Sequence, residues 1–134
     1  MKKIFLIFMI LNVAQGIVIQ NLFADSIKTY CKGIVGDSFQ LLKVCIDNEN
    51  GAKKRVLAKK VQPSIDSYCK GIVGESWSLM ETCISSETMA IRKLQLLDAD
   101  QSIKTYCGRI VGESNVLMES CIRQELSAKK ELGM

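Results

Sequence analysis

Apolar residues recur along this chain at helical spacing, and the same pattern is written three times. Ile27, Tyr30, Cys31 and Ile34 fall at i, i+3, i+4 and i+7, which is one face of a helix. A second run of Leu41, Leu42, Cys45, Ile46, Ala52 and Val56 again keeps a helical period, and nothing breaks it until about Lys60, ahead of Pro63. Between the two runs stands Gly36-Asp37-Ser38. Glycine accepts the left-handed backbone that ends a helix, and serine accepts a hydrogen bond from the first turn of the next one. Each repeat therefore predicts a short helix, a hinge and a longer helix, with Ser26 in the N-cap place of the short one.

The period is fixed by the cysteines. Cys31, Cys69 and Cys107 are 38 residues apart, and so are Cys45, Cys83 and Cys121. In this register Tyr30/Tyr68/Tyr106, Gly36/Gly74/Gly112, Ser38/Ser76/Ser114, Leu41/Leu79/Leu117 and Glu49/Glu87/Glu125 are identical. A period of this size marks supersecondary units that bury their faces only against neighbours. The expected fold is all-α: three tandem αα-hairpin repeats, 25–62, 63–100 and 101–134, stacked as a short solenoid in a single domain.

The hairpin decides the cysteine pairing. In one continuous helix, residues 14 apart are separated by roughly 21 Å along the axis, beyond any disulfide. Folded back at the hinge, Cys31 and Cys45 stand at roughly 7.5 and 10.5 Å from the turn and face each other. The pairs expected are Cys31 with Cys45, Cys69 with Cys83, and Cys107 with Cys121. Each closed loop is worth about 3 kcal/mol in the chain-entropy account.

Disulfides persist in oxidising compartments, and the N-terminus agrees. Met1, Lys2 and Lys3 precede the apolar run "IFLIFMILNVA", the layout of a secretory signal peptide. Residues 1–24 are read as that signal, with cleavage after Ala24 preferred over Gly16, and 25–134 as the mature chain. The same stretch is long enough to act as an uncleaved anchor, so membrane contact is expected only if residues 1–24 are retained. The expected location is secreted or periplasmic.

Charge adds little. After Ala24, 16 basic residues stand against 14 acidic ones, a net charge of +2 that is too small to suggest nucleic acid. Repeat 25–62 holds eight basic and four acidic residues, and 63–100 three and six. The stretch "KKRVLAKK", residues 53–60, reads first as the solvated face of a long helix.

Catalytic chemistry has few materials here. The chain contains no histidine, which excludes Ser-His-Asp and Cys-His nucleophile systems and histidine-containing zinc sites. It has neither a phosphate-binding glycine loop nor a Cys-x-x-Cys motif. No enzyme activity, cofactor or metal is expected. Met80 with Cys83 and Met118 with Cys121 sit at i, i+3, so Cu(I) binding or thiol-redox chemistry is the alternative if the thiols are reduced.

The expected role is thus a non-enzymatic interaction or structural module that binds a protein or peptide partner. Its candidate surface combines the hinge positions where the copies differ, Phe39, Trp77 and Asn115, with the repeated carboxylates Glu49, Glu87 and Glu125. The competing reading of those carboxylates is structural: a polar partner for a tyrosine hydroxyl or for a basic residue of the neighbouring unit.

Overall fold

A computed structural model describes residues 26–134, so the proposed signal segment and its cleavage site lie outside the described residues. Six helices follow in order: α1 over 26–35 as far as described, α2 Phe39–Ala58, α3 Pro63–Val73, α4 Trp77–Gln95, α5 Gln101–Val111 and α6 Asn115–Glu131. The described residues contain no strand. The chain is all-α and built as three hairpins, α1/α2, α3/α4 and α5/α6, each closed by one disulfide.

The hinges form as the residue types require. Gly36, Gly74 and Gly112 have φ of 64°, 64° and 65°, the left-handed region where a side chain costs energy. After each comes the serine cap: Ser38 Oγ accepts from Leu41 N at 3.3 Å, and Ser114 Oγ from Leu117 N at 3.2 Å. The starts of α3 and α5 differ from expectation. The N-cap place of α3 belongs to Gln62, with Pro63 next, and that of α5 to Asp100, neither making a side-chain cap bond. Ser64 and Ser102 therefore lie inside their helices. Proline supplies a preset φ and lacks an N–H that the first turn would leave unpaired anyway, so α3 starts without a serine cap.

The disulfides join Cys31 to Cys45, Cys69 to Cys83 and Cys107 to Cys121, each with Cα atoms 5.8 Å apart. They are also the centre of the core. The largest side chains removed completely from solvent are Cys31, Cys69 and Cys107. Besides them the buried apolar side chains include Ile27, Ile65, Met80, Ile84 and Ile122, a small core that covalent closure supplements.

Contacts divide the chain into two compact units. One runs up to Lys54 and includes Glu75–Ser78; the other comprises Arg55–Gly74 and Leu79–Met134. In the first, Ile27, Cys31 and Ala52 are buried. Within the second, Ala99, Cys107 and Ile122 form a buried cluster against which Leu94, Leu97, Ile103, Met118 and Leu126 pack. The end of the α3/α4 hairpin thus packs on the α5/α6 hairpin.

One expectation about the core is reversed. Ile34 shares a helix face with Ile27 and Cys31, yet it is 61% exposed, while they are 3% and 0%. Ile72 and Ile110 repeat this at 60% and 59%. Leu41, Leu79 and Leu117, expected on the inner face of the long helix, are 55%, 54% and 52% exposed. Periodicity fixes the direction in which a side chain points around the axis. It does not fix whether a neighbour covers that side of the helix, and at these isoleucines and leucines the cover is incomplete.

Candidate functional site

Chemistry and exposure concentrate around the hinges. The long helices α2, α4 and α6 carry no acidic residue in their first turns. Their N-terminal N–H groups and positive dipole ends therefore call for an acceptor from elsewhere. For α4 it is Glu49, which lies 27 residues ahead of the N-cap serine in the preceding hairpin. Its carboxylate accepts from Ser76 Oγ at 3.1 Å, Trp77 N at 2.5 Å and Ser78 N at 3.3 Å. For α6 it is Glu87, accepting from Ser114 Oγ at 2.8 Å and Asn115 N at 2.6 Å.

These are capping boxes assembled in space. The ordinary box takes its carboxylate from three residues inside the same helix, whereas here the preceding repeat delivers it. Charge-assisted bonds to a buried carboxylate are among the stronger hydrogen bonds in proteins. Glu49 and Glu87 are 5% and 3% exposed, and Ser76 and Ser114 are 3% and 4% exposed. No buried side-chain N or O among the described residues lacks a partner.

Glu49 and Glu87 therefore do not belong to an outer binding surface; they lock the hinge of the following hairpin. Their partners are a serine hydroxyl and backbone N–H groups, not the tyrosine or basic side chain considered from sequence. The available signal was the empty first turn of each long helix. Of the remaining surface positions, Phe39 is 87% exposed, Trp77 and Asn115 are half-buried at the locked hinges, and Glu125 is half-buried.

The basic stretch 53–60 is partly engaged within the fold. Lys53 Nζ stands 5.5 Å from the centre of the Trp77 ring, a cation–π distance. Arg55 grips Glu81 with a fork, Nε to Oε1 at 2.8 Å and Nη2 to Oε2 at 2.9 Å, and Lys59 lies 3.6 Å from the same carboxylate. The Arg55 bond, with help from the charges of Arg55 and Lys59, holds the Glu81 carboxyl below its ordinary range. Lys129 does the same for Asp100, and Arg123 for Glu119.

Apolar side chains are exposed beside the hinges. Each hinge is flanked by one isoleucine and one leucine, Ile34/Leu41, Ile72/Leu79 and Ile110/Leu117, all more than half exposed. In the second unit a groove of about 410 Å³ lies beside the last hinge, lined by Ser64, Ile65, Ser67, Tyr68, Glu113 and Asn115. The cysteines are all in disulfides. No group of three or more His, Cys, Asp or Glu capable of holding a metal occurs among the described residues. No helix among the described residues is long and apolar enough to cross a membrane.

Comparison with protein-family models, with curated proteins and with solved structures finds no match to this chain. The three disulfides point to an oxidising compartment.

Proposed function

We propose that this chain is a secreted or periplasmic, non-enzymatic interaction module that binds a protein or peptide partner through the apolar residues around its hinges. One observation carries the reading: the Ile–Leu pairs are identical in all three copies, yet stay more than half exposed. A scattered exposed leucine needs no explanation, but the same apolar pair displayed at three equivalent hinges amounts to a repeated docking element. The groove at Tyr68 and Asn115 offers polar groups beside such a pair, as peptide recognition requires for orientation.

The alternative, Cu(I) binding or thiol-redox chemistry at the Cys/Met pairs, requires reduced cysteines, and the disulfides leave none available. A membrane-tethered role rests on residues 1–24, outside the described residues.

The test is selection from a displayed random-peptide library on the disulfide-bonded protein. Amphipathic peptides with apolar anchors are expected to be enriched. Replacing Ile72, Leu79, Ile110 and Leu117 by serine should abolish their binding while leaving the helical circular dichroism unchanged. Failure to enrich any peptide, or binding indifferent to those four changes, would overturn the reading.

A further inference from the structure

Among the described residues the hinge lock is made twice, and each of its halves occurs a third time without its counterpart. The carboxylate half is Glu49 with Ala52, then Glu87 with Ala90, then Glu125 with Ala128. The first two alanines are 0% and 3% exposed, whereas Ala128 is exposed and Glu125 half-buried. Among the described residues no hydrogen bond or ion pair engages the Glu125 side chain. Leu132, one turn further on, is 74% exposed, where its first-repeat equivalent Val56 is 6%.

The hinge half shows the converse. Ser76 and Ser114 are buried under their glutamates, but Ser38 is exposed and Phe39 beside it is 87% exposed. The N-terminus of α2 is built like those of α4 and α6 and also has no acid in its first turn.

The flanking residues continue the register. Arg55 pairs with Glu81, and one repeat later Lys93 helps to lower the pKa of Glu119. One further step brings Glu131 opposite Lys43. Both signs are inverted, so the attraction is kept. The same step sets Lys129 against Phe39, as Lys53 is set over Trp77. Within the chain Lys43 now pairs with Asp47, Lys129 with Asp100, and Glu131 accepts from Ser127 Oγ at 3.3 Å. Such exposed pairs are weak and exchangeable.

We infer that a second copy of this chain docks head to tail, the Glu125 face of α6 on one copy closing onto the Ser38–Phe39 hinge of the next. Glu125 then accepts from Ser38 Oγ and from the first N–H groups of α2, as Glu87 does from Ser114 and Asn115. The contact is heterologous, so every assembly retains one unused half of each kind, one at either end, and growth extends beyond the dimer. The Ile–Leu pairs keep their exposure: Ile72 and Leu79 are 60% and 54% exposed although their hinge is already locked. Self-association and peptide binding therefore fail independently.

The test is sedimentation analysis of the full disulfide-bonded chain up to about 1 mM, the scale of effective concentration at which linked contacts of this kind operate. Mass rising with concentration past the dimer is expected. Glu125→Ala should weaken association by roughly 10- to 100-fold, the effect of losing hydrogen bonds to a charged group. Glu131→Lys should weaken it too, and adding Lys43→Glu should restore it. Mixing a Glu125→Ala chain with a Lys43→Glu chain should give a mass that stops near the dimer. A chain monomeric throughout the range, or association indifferent to Glu125 and to the Lys43/Glu131 exchange, would overturn the inference.

Discussion

Glu87 and Glu125 are the same residue at the same repeat position, and the hinge lock predicts opposite outcomes on removing them. Glu87→Ala deletes a 3% exposed carboxylate and leaves Ser114 Oγ and Asn115 N without the acceptor they now reach at 2.8 and 2.6 Å. A hydrogen bond to a charged group contributes about 1.5–3 kcal/mol, and a stranded buried donor adds about 1 kcal/mol or more. The two bonds share one carboxylate and their effects do not add, and water reaches half-buried Asn115, so a net loss of about 3 kcal/mol is expected. With a urea slope of about 1.5 kcal/mol/M, the unfolding midpoint should fall by about 2 M. Glu125→Ala removes a half-buried side chain with no bond of this kind and should change stability by less than about 0.5 kcal/mol. Glu87→Gln, which keeps one carbonyl acceptor, should fall between the two. The assay is urea unfolding at low protein concentration with disulfides intact, supported by amide exchange in the first turn of α6. Equal midpoints for Glu87→Ala and Glu125→Ala would refute the lock.

Two further predictions concern backbone and charge. Gly74 has φ of 64° with open space around it, so Gly74→Ala carries a backbone cost alone, about 1–2 kcal/mol; Gly71→Ala, inside α3 and equally unobstructed, should instead stabilise by about 0.5–1 kcal/mol. Thermal unfolding of the two variants checks this, and a like-signed change would contradict it. Glu81 is depressed by its bond to Arg55, so the stability it contributes is present above its unfolded pKa of about 4.3 and is lost as pH falls through the lower folded value. Carbon-detected NMR titration should find Glu81 below the ordinary range and Arg55→Ala should raise it; an ordinary value in the unsubstituted protein would contradict the pairing.

How much of this was legible in the sequence differs from residue to residue. Helices, hinges and disulfides follow from local spacing, because Gly36, Ser38 and the cysteines constrain backbone within a single hairpin. The exposure of Ile34 does not, since a residue seven places after Ile27 points almost the same way around the axis but stands two turns nearer the hinge. Burial there depends on a neighbour's reach. The partner of Glu87 was hidden for a related reason: Ser114 lies 27 residues away in the next hairpin, and the identity of the three glutamates does not show which of them meets a hinge. The clue that was readable, the absence of an acid in the first turn of each long helix, implies a missing acceptor without naming it.

The fold and its hinge locks depend on hairpins closed by disulfides in an oxidising compartment. The decisive measurement is non-reducing peptide mapping with mass spectrometry, after alkylation, of protein isolated from its own host. No alkylated cysteine is expected, and three linked peptide pairs, Cys31 with Cys45, Cys69 with Cys83 and Cys107 with Cys121. Alkylated thiols, or bonds joining different repeats, would contradict that closure.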